Sequence, residues 1–250
     1  MPLMTDERGP AWLVLPTYNE AENIEAIVRA ALPELARATD DHRILVVDDN
    51  SPDGTGDIAD RLAAEDAHVE VLHRLTKDGL GRAYLAGFAR ALEGGAELIL
   101  EMDSDFSHDP KDLPRLIEGA SDADLVLGSR YVRGGGVVDW GVGRRILSRG
   151  GSWYARRILG IPIRDLTGGF KCFHRRVLER LDLDGIDAYG YGFQIELTYR
   201  ALKAGFRVKE VPIVFRDRQR GTSKMSPRIA AEAVLKVPLL RFGSRRVRSG

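Results

Sequence analysis

The sequence is short of cysteine: Cys172 stands alone in 250 residues, which excludes an internal disulfide or a zinc site built on thiolates and favours a reducing compartment. It has no apolar run near the roughly 18 residues that a membrane span needs, and residues 1–10 do not have the pattern of a signal peptide. A soluble or peripheral chain is expected. Neither a GxxxxGKS/T motif nor a GxGxxG following a strand occurs, so P-loop and dinucleotide-binding readings lose their main support. Net charge is absent too, 37 Lys and Arg against 37 Asp and Glu, and the total points to neither a nucleic-acid binder nor an acidic tail. Internal repeats and a linker long enough to divide two domains are also missing, while 44% hydrophobic residues supply one sizeable core.

The balanced total conceals a split. Residues 1–125 hold 11 Lys and Arg against 27 Asp and Glu, a net charge of −16, and residues 126–250 hold 26 against 10, a net charge of +16. One half repels phosphate and the other attracts it. Five short β-branched or aliphatic runs, at 12–15, 44–48, 69–72, 98–102 and 125–128, alternate with helical patterns near 20–35, 57–65, 82–92 and 113–120. That rhythm predicts an α/β fold with a mostly parallel central sheet and helices on both faces. Asn19 with Glu22 three residues on resembles a capping box, and Gly94 sits where a C-cap glycine belongs. After Tyr131 the rhythm breaks. Gly134, Gly135 and Gly136 predict a mobile loop, followed by an arginine-rich helix at 146–159 that carries Trp153 and Tyr154. A helix near 193–204 ending at Gly205, a strand at 211–215 and an apolar helix at 229–242 complete the pattern. The expected organisation is one domain over 12–242, between a disordered N-terminus (1–11) and a basic tail (243–250) that frays.

The fourth strand runs into Asp103-Ser104-Asp105, which puts two carboxylates at the carboxyl end of a strand, where ligands bind in open α/β sheets. Two hard oxygen ligands with room for water and phosphate suit Mg2+ or Mn2+ bridging a diphosphate; a solvated acidic turn is the bland alternative for a lone D-x-D. An EF-hand start is excluded because His108 stands where the loop needs glycine and Pro114 where it needs glutamate. The first strand ends in Pro16-Thr17-Tyr18-Asn19-Glu20 and the second in Asp48-Asp49-Asn50-Ser51. Tyr18 can stack on a base while Glu20 or Asp49 accepts from ring or ribose donors, although singly Asn19 reads as a cap and Asp49 as a turn residue. The basic half contributes Arg130, Arg144, Arg145 and the run from Arg216 to Lys224, which includes Arg218. Arginine forks grip phosphate, and a Gly-Thr-Ser-Lys segment can close over a diphosphate; a solvated strand end is the alternative for 216–220. Aromatic residues are too sparse among these charges to favour nucleic acid.

The motifs Pro16 to Glu20, Val46 to Thr55, Met102 to Asp105, Gly128 to Tyr131 and Gly221 to Lys224 together resemble the dolichol (polyprenol) phosphate mannose synthases, inverting family 2 glycosyltransferases of GT-A fold. They occur in family order over nearly the whole chain, about 12–242. The resemblance implies transfer of mannose from GDP-mannose to a polyprenyl phosphate on the cytosolic face of a membrane. It implies that Pro16, Tyr18, Glu20, Val47 and Asp49 hold the guanosine. By the same resemblance Asp103 and Asp105 bind Mg2+ or Mn2+, Ser104 contacts the nucleotide sugar, and Ser107 stands where some relatives place a glutamine ligand. Arg130 and Arg144 are implied to seat the acceptor phosphate, Gln194 to lie near the mannose, and Arg218 with Lys224 to close over the diphosphate. Asp105 and Arg130 become the implied catalytic pair. The family's C-terminal membrane spans are lacking here, as in soluble catalytic subunits that work with a small membrane partner.

A phosphomonoester acceptor has a second pKa of about 6 and is largely ionised at pH 7, so no general base is required and a single in-line displacement is expected. Helices 146–159 and 229–242 are the expected membrane-facing surfaces, against the alternative that both are ordinary core helices. Three other readings compete: the same fold with UDP-glucose or another donor, a phosphohydrolase with Asp103 as nucleophile, and a non-catalytic sugar-nucleotide-binding subunit. A donor panel, hydrolysis without sugar nucleotide, and binding without turnover distinguish them.

Overall fold

Along the first strand Trp12 and Val14 face one side and Leu13 and Leu15 the other, and all four are buried. A strand apolar on both faces belongs inside a sheet covered twice. The computed structural model, which describes residues 9–183, 185–186, 190–217 and 227–242 apart from the side chains of 191 and 227–233, shows that arrangement. The elements are β1 (Ala11–Thr17), α1 (Ile24–Ala36), β2 (His42–Asp48), α2 (Thr55–Glu65), β3 (Val69–His73), α3 (Leu80–Glu93), β4 (Leu98–Glu101), α4 (Leu113–Gly119), β5 (Leu125–Ser129), β6 (Gly136–Val138), α5 (Val142–Leu159), β7 (Lys171–His174), α6 (Arg175–Arg180), α7 (Tyr191–Lys203), β8 (Val208–Pro212), β9 (Val214–Arg216) and α8 (Pro227–Phe242). Seven strands form one sheet in the order β3-β2-β1-β4-β7-β5-β8, and β6 pairs with β9 separately.

The sheet is parallel except for β7, which runs antiparallel between β4 and β5. One core layer packs α3, α5 and α7 against Trp12, Val47, Ile99 and Phe173; the other packs α1, α2 and α4 against Leu13, Val46, Leu100 and Cys172. The chain leaves β1 toward β2 and β3 on one side and returns to β4 on the other, so the strand order reverses between β1 and β4. Ligands bind outside such a reversal, at the carboxyl ends of the strands.

All five strands expected in the acidic half are present. Four local expectations are corrected. Asn19 does not cap α1: its backbone is left-handed (φ 54), whereas a capping residue is extended. Its N–H donates instead to Ser51 Oγ, and α1 starts after Asn23. Gly94 does close α3, but the left-handed residue is Gly95 (φ 84). The glycine-rich segment after Tyr131, expected as a loop, contributes β6, and the strand expected at 211–215 is two strands, β8 and β9, because the chain passes at Ile213 from β5, where its N–H donates to Ser129 O, to β6, where its carbonyl accepts from Gly136. β1 starts at Ala11, and Pro10 O accepts from Glu97 and Leu98, so order begins inside the segment expected to be disordered. The basic tail 243–250 lies outside the described residues.

Candidate active site

β4 stops at Glu101, one residue earlier than expected, and Asp103 and Asp105 sit in a tight turn rather than on extended chain. The turn is held by Asp105 Oδ1, which accepts the Ser107 N–H at 2.9 Å, and by a left-handed Phe106 (φ 60). Both carboxylates nevertheless face one cleft of about 680 Å³, lined also by Ser107, His108, Arg130, Trp140, Arg144, Thr167 and Gln194. Six residues drawn from four distant stretches of the expected site therefore meet: Asp103, Asp105, Ser107, Arg130, Arg144 and Gln194.

The nucleotide-side residues stand at the neighbouring strand ends. Pro16 and Val47 belong to β1 and β2, paired in register, and Ser104 Oγ donates to Pro16 O at 3.3 Å, tying the D-x-D turn to the end of β1. Glu20 is buried and accepts from Asn23 Nδ2 at 2.8 Å. The Tyr18 ring carries the Lys77 ammonium 3.7 Å from its centroid. Asp49 is buried against the Arg74 guanidinium; burial raises its carboxyl, and Arg74 offsets this only in part. Arg218 and Lys224 lie outside the described residues.

Arg130, expected to grip a phosphate, is buried, and its Nε and Nη2 donate to the two Asp165 oxygens at 2.7 and 2.6 Å. Burial works to raise Asp165, and Arg130 more than offsets it, holding the carboxyl below its usual range. Tyr131, Trp140 and Phe215 surround the guanidinium at 5.2 to 5.6 Å. Arg144 lies 4.3 Å over Trp140 and pairs with Asp217 at 2.8 Å near the surface, a contact weak enough for a phosphate to displace.

Sequence reasoning missed four side chains that shape the cleft. Tyr84, fully buried on α3, donates to Asp103 Oδ1 at 3.3 Å; burial, then the Asp103 charge, keeps its phenol protonated. Lys171 Nζ, fully buried on β7, donates to Glu101 Oε1 at 2.9 Å and to Gln194 Oε1. Asp165 fixes Arg130. His108 packs between Phe170 and Phe215, and burial lowers its imidazole to about 4, leaving it neutral. Only the adjacent glycines at 168 and 169 hinted at a site there. Tyr84→Phe is expected to lose a hydrogen bond to a charged group, worth about 1.5–3 kcal/mol. A roughly tenfold rise in the Mn2+ concentration needed for half-maximal turnover checks it.

The donor set fits a hard divalent cation. Asp103 and Asp105 supply carboxylates, and the buried Ser107 Oγ has no hydrogen-bond partner. Among the described residues no three His, Cys, Asp or Glu side chains converge, so such an ion would keep positions open for diphosphate oxygens and water.

A second groove, of about 650 Å³, adjoins the cleft and shares Trp140, Arg144 and Thr167 with it. Leu147, Tyr154, Ile195, Val234 and Val237 make it largely apolar. α5 and α8 are not fully covered helices: Val142, Ile146, Leu147, Trp153, Leu235, Leu239 and Phe242 are exposed. Among the described residues no helix is long and apolar enough to cross a membrane.

Residues 12–182 match the model of Glycosyl transferase family 2. Among curated proteins, the chain is 50% identical over 224 residues, 90% of either chain, to an undecaprenyl-phosphate mannosyltransferase of Micrococcus luteus. It is 48% identical, over 90% of this chain and 84% of the relative, to a polyprenol monophosphomannose synthase of Mycolicibacterium smegmatis. Among solved structures it resembles a glucosyl-3-phosphoglycerate synthase from Mycobacterium tuberculosis in complex with Mn2+ and UDP (TM-score 0.68, 21% identity, 96% of this chain and 82% of that one). It also resembles a mannosyltransferase from Pyrobaculum calidifontis in complex with GDP-Man and Mn2+ (TM-score 0.61, 18% identity, 96% and 72%). These distant structures establish the GT-A fold, and with relatives of about half identity over nine tenths of its length the chain belongs to glycosyltransferase family 2, alongside the polyprenyl-phosphate mannose synthases.

Proposed function

We propose that this chain transfers mannose from GDP-mannose to a polyprenyl phosphate at a membrane surface, with inversion at the anomeric carbon. The observation that carries the reading is the meeting of Asp103 and Asp105 with Arg130 and Arg144 in one cleft that opens into an apolar groove. In this reading Asp103 and Asp105 serve the donor diphosphate and Arg130 and Arg144 the acceptor phosphate. The relatives' names favour mannose over glucose as the donor sugar.

The donor's guanine lies against the β1 and β2 ends, with Tyr18, Glu20 and Asp49 around base and ribose, and Arg218 and Lys224 on the diphosphate. Asp103, Asp105 and Ser107 would hold Mg2+ or Mn2+, which when bound neutralises charge on the departing GDP. Gln194 orients the mannose. Arg144 exchanges Asp217 for the acceptor phosphate, while Arg130, fixed by Asp165, adds positive potential beside it. The apolar groove takes the first isoprene units. Because the phosphate arrives ionised, its oxygen attacks without a base, and orientation with charge stabilisation supplies the rate.

The chain works as a peripheral protein, its α5 and α8 apolar side chains at the bilayer surface, on the cytosolic side and with a small membrane-spanning partner. Incubation with GDP-mannose, Mg2+ and a short polyprenyl phosphate should give a β-mannosyl phosphate, read from the anomeric NMR signal, and none in a metal-free control. An α product overturns the single displacement; turnover of UDP-glucose but not GDP-mannose overturns the donor.

A further inference from the structure

A third concavity, of about 580 Å³, lies between residues 130–137 and the first turns of α5 and shares Arg130 with the catalytic cleft. Arg145 and Arg149 wall it, with Tyr131 at its edge and the backbone of Gly135 and Gly136 along it. Tyr131 pins the two sides together, its hydroxyl donating to Ser148 Oγ at 2.6 Å. Among the described residues no carboxylate pairs with Arg145 or Arg149, and α5 as a whole carries five arginines and no acidic residue. The concavity shares Arg130 with the catalytic cleft but neither Asp103 nor Asp105, so a phosphate held by Arg145 and Arg149 is not the one that attacks the sugar.

The neighbours of these arginines say what kind of anion fits. On α5, Arg145 and Arg149 follow Val142 and Ile146 at i+3, and Trp153 follows Arg149 at i+4, which puts all five on one helix face. Val142 is 72%, Ile146 67% and Trp153 66% exposed. A soluble phosphate has no use for apolar side chains beside its site, whereas a phospholipid presents a phosphate with acyl chains alongside. We propose that this concavity seats the headgroup phosphate of an anionic membrane phospholipid, a second lipid site that holds the catalytic cleft against the bilayer. It rests on the membrane-surface reading above, and needs no assumption about the sugar transferred.

The test compares the full chain with Arg145→Gln/Arg149→Gln and with Arg156→Gln/Arg157→Gln, which removes equal charge from the same helix outside the concavity, after equal thermal midpoints are confirmed. Partitioning onto phosphatidylcholine vesicles containing phosphatidylglycerol should weaken about 30-fold for the first pair, the equivalent of about 1 kcal/mol per arginine, and only a few-fold for the second. Equal losses for both pairs mean diffuse attraction and overturn the site. Glycerol 3-phosphate binding that is lost in the first variant assigns the pocket to a soluble anion and overturns the lipid. Mannosyl transfer to a detergent-solubilised short polyprenyl phosphate should be unchanged; a tenfold rise in acceptor KM would place these arginines in the acceptor site and overturn a second one. Should the wild type transfer no mannose, the enzymatic reading falls while the vesicle comparison still decides this one.

Discussion

Asp105→Asn is expected to lower kcat for mannosyl transfer by about three orders of magnitude while leaving the thermal midpoint nearly unchanged. The two effects separate because the carboxylate does two jobs. Its Oδ1 accepts the Ser107 N–H and so closes the D-x-D turn, and an asparagine oxygen accepts the same bond. Its negative charge faces the cleft beside Asp103, and an amide supplies none. With half of the anionic pair gone, a divalent ion is held by one carboxylate, and the departing diphosphate loses much of its neutralisation. The measurement is kcat at saturating GDP-mannose over a Mn2+ titration. A loss below tenfold with normal Mn2+ dependence would mean that this charge does not serve the leaving group. Ser107→Ala is the companion: its hydroxyl is short and makes no hydrogen bond, so the expected loss is tenfold or less.

What the sequence made legible follows from where each part of the site gets its information. Asp103, Asp105, Tyr18 and Asp49 end or follow strands whose apolar runs are continuous, so periodicity alone placed them at one edge of a parallel sheet. β7 was not legible because it is four residues long and has Lys171 at its start, a charge that reads as surface until the partners on β4 and α7 are known. Its antiparallel direction was equally hidden, since the 11 residues between α5 and β7 carry no pattern that shows which way the chain re-enters the sheet. Arg130 was singled out for its place after β5 and does line the cleft, but its partner Asp165, 35 residues on, carries no local signal. The mixture of Trp153 with arginines marked α5 as unlike an ordinary core helix, and Trp153 is exposed; that one side packs through Ser152, Ala155 and Leu159 needed the fold.

Lys171→Met should be the most destabilising single change near the cleft, lowering stability by about 3–5 kcal/mol and the thermal midpoint by roughly 6–20 °C. Lys171 and Glu101 are both fully buried. Burial lowers the lysine and raises the glutamate, and the attraction between them offsets only part of each shift. Removing the ammonium leaves a carboxylate without its counter-charge and one oxygen, Oε2, already without a hydrogen bond. The amide of Gln194 loses its hold as well, because Lys171 donates to its oxygen and thereby fixes that side chain in the cleft. Stability and catalysis should then part company in the double variant Lys171→Met/Glu101→Leu. Replacing both charges by apolar side chains of similar volume removes the unpaired carboxylate, and most of the lost stability is expected to return. Mannosyl transfer should not return with it, since Gln194 still has no donor to orient it. Chemical denaturation of the single and double variants, read beside kcat and KM for GDP-mannose, decides the matter. A double variant that regains both would show that the buried pair serves the core alone.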